Sequence, residues 1–168
     1  ARCLRHARPG SERAGQPGGR RVNAALREMA LRLLARRDHS RAELARKLRE
    51  DGDEDEIAAL LVRFEECGLL SDSRFAGQFV SSRAARFGTR RLQYDLKQRG
   101  VADADVADAL AAVGDDEAAR ARAVWARKFD ARPSDAKSWA KQARFLQSRG
   151  FSADSIHKVL REQPDDDE

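Results

Sequence analysis

The 168-residue sequence predicts an all-α protein: a tandem array of three three-helix repeats forming an elongated, curved solenoid-like molecule. Three observations predict it. Apolar residues recur at helical spacing from Asn23 onward, with only 4 prolines in the whole chain. Glycines close the candidate helices at short intervals. The closing turns also superpose: "LKQRGVADADVADAL" lies over "LQSRGFSADSIHKVL" at a shift of 50, placing Leu96, Arg99, Gly100, Val106 and Leu110 on Leu146, Arg149, Gly150, Ile156 and Leu160. "LREDGDEDEIAALL" fits the same frame more loosely through Leu48, Gly52, Ile57 and Leu61. A repeat of this length with three helices per unit indicates a helical array. Each unit has too little apolar face to stand alone, so neighbours must stack.

The elements follow in order. Leu26, Met29 and Leu33 define a first amphipathic helix to about Arg37. Ser40 opens "SRAE", a capping-box sequence with Glu43, and Leu44 and Leu48 form the buried stripe of that short helix. Gly52 ends it. Asp53 to Glu56 start the third helix at the positive end of its dipole, with Ile57, Leu60, Leu61 and Phe64 inward and Gly68 as a left-handed cap. In the second unit, Ser71 or Asp72 caps a helix bearing Phe75 and Phe79, broken at Gly88. Thr89 starts a short helix with Leu92 and Leu96, closed by Gly100 and Val101; Asp103 caps the next, with Val106, Leu110 and Val113 inward. In the third, a helix from about Asp116 carries Ala121, Val124 and Trp125, and Pro133 with Ser134 marks a turn. Trp139 and Leu146 stripe the following helix, Gly150-Phe151 closes it, and Ile156, Val159 and Leu160 line the last. The expected divisions are a disordered basic arm over 1–21, repeats over 22–70, 71–114 and 115–162, and an acidic tail over 163–168.

Composition narrows the function. Apolar content of 41% with 6% aromatics and 36% charge suits a thin, surface-rich architecture. A net charge of +5 favours a polyanionic partner. Cys3 and Cys67 stand far apart in dissimilar settings, which argues against a disulfide framework and fits a reducing, cytoplasmic setting. No apolar run approaches the ~18 residues that would span a bilayer, and the start lacks an apolar signal core. The chain opens on Ala1 without an initiator methionine, which reads as a processed or incomplete product.

Few residues offer chemistry. "DGDEDE", Asp51 to Glu56, has its glycine second and runs straight into a helix, unlike a calcium loop. His6, His39 and His157 lack partners at metal-ligand spacing, and His39 and His157 read as polar surface or edge residues. Cys67 reads as a small buried hydrophobe. No phosphate loop, nucleophile elbow or carboxylate pair is present. No catalytic residue, metal or cofactor is expected, and the chain does not read as an enzyme.

The basic residues remain. Between Arg83 and Arg99 lie six cations, Arg83, Arg86, Arg90, Arg91, Lys97 and Arg99, against one acid, Asp95. A second group, between Arg120 and Arg149, includes Arg127, Lys128, Arg132, Lys137, Lys141 and Arg144, with an acidic block from Asp103 to Glu117 between the two. On a shared face these helices would make a broken basic track suited to phosphates; scattered, they are ordinary solvated surface. Phe75, Phe79, Trp125 and Trp139 fall on apolar stripes and read as core, so the track points to docking without base reading.

"GLLSDSRFAGQFVSSRAARFGTRRLQYDLKQRGV", Gly68 to Val101, resembles the central signature of the bacterial RecX regulatory proteins. The match falls on Gly68, Leu69, Asp72, Phe75, Ala76, Phe79, Val80, Arg83, Gly88, Leu92, Leu96, Gly100 and Val101, and the likeness extends over roughly 23–162. Ser73-Arg74 and Phe87 depart from the family, where a second acid and a lysine are common. The resemblance implies three repeats of three helices and a negative modulator of RecA, with a place in homologous recombination and the SOS response. It implies binding in the groove of the RecA–single-stranded DNA filament, suppression of ATP hydrolysis, strand exchange and co-protease activity, and limits on filament growth. The partners would be the RecA filament and single-stranded DNA, duplex DNA non-specifically, no membrane, with the chain a monomer. The contact surface would comprise Arg83, Arg86, Arg90, Arg91, Lys97 and Arg99, extended by Lys128, Arg132, Lys137, Lys141 and Arg144. Residues alone leave two other classes open: a helix-turn-helix DNA-binding protein and a protein-only helical scaffold.

Overall fold

The computed structural model describes residues 23–114 and 116–161. The expectations for the basic arm, for Cys3 and its pairing, for His6 and for the acidic tail lie outside them. The described residues form nine α-helices without strands: α1 (Ala24–Arg36), α2 (Arg41–Leu48), α3 (Glu54–Glu66), α4 (Asp72–Arg83), α5 (Thr89–Lys97), α6 (Asp103–Ala111), α7 (Glu117–Ala126), α8 (Ala136–Ser148) and α9 (Ala153–Arg161). The chain divides into two compact units, 1–71 and 72–168.

The first unit holds α1–α3. Ser40 accepts from the Glu43 amide at 3.0 Å and Asp53 from the Glu56 amide at 2.8 Å, so both short side chains satisfy first-turn donors as their sequence positions require. Leu26, Leu44, Leu48, Ile57, Leu60, Leu61, Phe64 and Leu70 are buried together as its core. Two side chains depart from expectation. His39 is buried at 3% exposure, not at the surface, with its Nδ1 3.3 Å from Glu43 Oε2. Burial, with Arg37 beside it, holds the imidazole below its ordinary value despite that carboxylate. Cys67 is half-buried at the end of α3 rather than buried.

The second unit contains two repeats of one plan. In α4–α6 and again in α7–α9, the first helix packs chiefly on the third. Phe75, Phe79, Val80, Leu92, Leu96 and Val106 make one core. Ala121, Val124, Leu146, Phe151, Ile156, Val159 and Leu160 make the other. The middle helices close identically. Gly100 and Gly150 take φ of 73° and 82°, and the amides of Val101 and Phe151 each reach back 3.3 Å to the carbonyls of Leu96 and Leu146. This is the helix-ending motif that requires a left-handed residue, which is why glycine recurs. Gly52, the looser counterpart in the first unit, does not share the positive φ; a Cβ there would lie 2.8 Å from Leu26 Cδ2, so close packing accounts for it.

Some helix starts differ from the sequence reading. Asp103 is the first residue of α6 and not its cap; Ala102 occupies the cap, and Asp103 instead pairs with Lys97 at 2.8 Å. The predicted turn at Pro133 and Ser134 is followed directly by Asp135, which caps α8 in a reciprocal arrangement with Ser138. Trp125 and Trp139 are half-buried rather than core. The Trp125 indole donates to Gln142 Oε1 at 2.7 Å, and Gln142 donates in turn to the Ala131 carbonyl at 3.1 Å. No helix among the described residues is long and apolar enough to cross a membrane.

Candidate functional site

All eleven cations singled out from the sequence lie in the second unit, and they fall into separate groups. Arg83, ending α4, and Arg99, just past α5, both lie over the buried Phe79 ring, at 4.0 and 4.7 Å from its centroid. Arg99 also donates to the Asp95 carbonyl at 2.6 Å. Arg91 pairs with Asp95 at 3.1 Å one turn along α5, and Lys97 is held by Asp103. Exposed pairs of this kind contribute ~0–1 kcal/mol, but they occupy charge that a partner would have to compete for.

Two groups cross from the first repeat of this unit to the second. Arg90, at the start of α5, lines a groove of about 240 Å³ with Trp139, Arg144, Phe151 and His157. The Trp139 and His157 rings stand 5.3 Å apart there, so His157 is half-buried beside an aromatic. Arg86, in the turn after α4, lines a second cleft of about 330 Å³ with Val124, Arg127, Lys128, Phe145 and Arg149. Lys128 Nζ lies 4.7 Å from the Phe145 centroid, and the Arg149 guanidinium 5.3 Å from it and 5.7 Å from Phe87. Lys137, Lys141 and Arg144 follow one another along an exposed face of α8 and line a shallower groove with Asp135 and Ser138. Arg132 is half-buried in the α7–α8 connection. Arg127 and Arg149, which sequence reading placed in or beside the second basic group without choosing them as contacts, are thus brought beside Arg86 and Lys128.

What aligns these groups is a junction of main chains. The Gly88 amide donates to the Arg149 carbonyl at 2.9 Å and the Arg90 amide to the Gly150 carbonyl at 3.1 Å. Glu117, at the start of α7, accepts from the Thr89 amide at 2.7 Å and the Ser152 amide at 3.2 Å. It also accepts from the Ser152 hydroxyl, and from the Ser155 hydroxyl at 2.8 Å. One carboxylate therefore serves the N-termini of α5 and α9 together, where helix dipoles favour negative charge. Burial pushes the Glu117 carboxyl up, but the Ser152, Thr89 and Ser155 hydrogen bonds outweigh it and hold it at about 2. Among the described residues no cluster of three or more His, Cys, Asp or Glu could hold a metal ion.

Three family models match the chain: RecX, first three-helix domain, over residues 27–64; RecX, second three-helix domain, over 71–110; and RecX, third three-helix domain, over 115–160. The chain belongs to the RecX family. A Leptothrix cholodnii protein named Regulatory protein RecX is 45% identical over 142 residues, covering 84% of this chain and 90% of the relative. A Pseudomonas fluorescens protein of the same name is 47% identical over 146 residues, covering 85% and 94%. The crystal structure of RecX from Lactobacillus salivarius superposes with a TM-score of 0.72 at 23% identity, covering 82% of this chain and 93% of that one. At that identity the superposition speaks to the fold alone. The RecX relatives support a regulatory role for this chain.

Proposed function

We propose that this RecX-family chain is a negative modulator of RecA that binds in the groove of the RecA–single-stranded DNA filament and suppresses its ATP hydrolysis, strand exchange and co-protease activity. It acts as a cytoplasmic monomer, by binding and not by catalysis. Its repeats are taken as 22–70, 71–114 and 115–162. The carrying observation is that cations from two repeats, distant in sequence, line common clefts at one junction: Arg86 with Lys128, and Arg90 with Arg144. A surface of this kind suits a partner that displays phosphates and acidic side chains along a repeating path. Arg83, Arg91, Lys97, Arg99, Arg132, Lys137 and Lys141, in the same unit, supply secondary contacts.

The deciding experiment measures ATP hydrolysis by RecA on single-stranded DNA while this protein is added below one molecule per RecA protomer. Inhibition well below equimolar is expected, because each molecule seated on an assembled filament disables several protomers. Full ATPase activity at an excess of this protein would overturn the proposal.

A further inference from the structure

We propose that the cleft of Arg86, Arg127, Lys128 and Arg149 is a phosphodiester-binding subsite that grips the backbone of single-stranded nucleic acid. The inference rests on the nucleic-acid side of the function proposed above, and names the place where that contact is made. Four cations line this cleft together with Val124 and Phe145, and no carboxylate lines it. None of the four is within ion-pair distance of an acid among the described residues, in contrast to Arg91 and Lys97.

The helix ends explain each cation singly. Arg127 is the C-cap of α7 and Arg149 that of α8, with Lys128 one residue further on and Arg86 three residues past the end of α4. A cation at a helix C-terminus is favoured by the dipole, by ~0.3–1 kcal/mol. That local benefit is available in any direction around the helix end. It does not require three helix ends to aim their cations into one cleft, where like charges repel at close range. The rings of Phe145 and Phe87 add a second constraint. Lys128 and Arg149 lie against Phe145, and Arg86 and Arg149 lie 5.8 and 5.7 Å from the Phe87 centroid, so their side chains are held over aromatic faces. An anion entering the cleft would meet donors already in place, with less side-chain ordering still to cost. Guanidinium groups fit two phosphate oxygens at once, and three of the four cations are arginines. The apolar part of the wall carries sugar contacts without reading a base.

The test compares a fluorescent single-stranded oligonucleotide binding to the full chain and to Arg127→Gln/Lys128→Gln/Arg149→Gln over a salt series. Expected is at least a roughly tenfold loss at about 50 mM salt, with the slope of log K against log salt falling by about 2 for three lost single-strand phosphate contacts. A control, Arg46→Gln/Lys47→Gln/Lys158→Gln, removes equal charge elsewhere; equal losses in both variants overturn the subsite, leaving only a general charge effect. If the triple variant is unfolded by circular dichroism, the exposed Arg127→Gln alone is used, with the expected slope change reduced to about 0.7. The swap Arg127→Lys/Lys128→Arg/Arg149→Lys should keep the slope. If the wild-type chain binds no oligonucleotide, the nucleic-acid reading itself fails. If the variant keeps oligonucleotide binding and loses RecA binding without DNA, the cleft faces an acidic protein surface and the subsite is overturned.

Discussion

Gly150→Ala is expected to lower the thermal midpoint by roughly 10 °C and Gly88→Ala by about 6 °C, while Gly114→Ala lowers it by only a few degrees. The three substitutions separate space from backbone angle. At Gly88 the φ of −78° suits any residue, but an added Cβ would stand 2.3 Å from the Gly150 carbonyl oxygen and 2.3 Å from the Phe151 amide nitrogen. Both are main-chain atoms at a helix end and cannot rotate away. Gly150 combines the two penalties: its φ is +82°, and a Cβ would lie 2.3 Å from Arg91 Cβ and 2.5 Å from the Arg91 amide nitrogen. Gly114 shares the left-handed angle, at +78°, with nothing within 4 Å. A left-handed alanine alone costs ~1–2 kcal/mol, and forcing atoms into a packed contact costs ~1–3 kcal/mol more. Each kcal/mol moves the midpoint of a chain this size by about 2–4 °C. Calorimetry of the four proteins checks the ordering. A Gly88→Ala protein melting with the wild type would mean that the two turns part without cost.

Glu117→Ala is expected to destabilise the second unit by ~2–4 kcal/mol, since it leaves the Thr89 and Ser152 amides and two serine hydroxyls short of their acceptor. Glu117→Gln keeps the shape and one acceptor oxygen, and should cost less. The same carboxylate gives a pH signature. Its folded pKa of about 2 lies below the ordinary 4.5, so the unfolded chain takes up the proton first as pH falls. The stabilisation is fully present above about 4.5 and is lost progressively towards 2. For a half-buried group it is of order 2 kcal/mol after allowing for solvent screening. Urea unfolding of wild type and Glu117→Gln between these limits should therefore converge. Parallel curves would assign the acid sensitivity to other carboxylates.

The helices, the repeat and most of the core were legible because each depends on local spacing. Leu26, Leu60, Phe79, Leu96 and Leu146 are buried where their stripes place them, and the two superposable glycine turns take the same left-handed form. What escaped the sequence depends on chain segments meeting. Glu117 reads as the last residue of an acidic block, and only the fold reveals that it faces the starts of two other helices. Ser152 and Ser155, spaced to cap α9 with a serine where a capping box would carry Glu or Gln, were the available hint. Arg127 and Arg149 stood in or beside the second basic group, but nothing in their spacing shows that their cleft is assembled from the ends of three helices, α4, α7 and α8. His39 reads as a turn residue, yet lies under the start of α2 against Glu43.

The Gly88–Gly150 junction also bears on how the second unit comes apart. At most helix N-termini the first amides face water and open independently of the rest. Here Gly88, Thr89 and Arg90 send theirs to Arg149, Glu117 and Gly150, more than twenty-five residues away. The usual fraying point of α5 is thereby welded to the α8–α9 turn and the first residue of α7 in the neighbouring repeat. A helix that would ordinarily unzip from its tip can do so only if the adjoining three helices loosen as well, so the weakest position in an isolated repeat becomes the coupling between two.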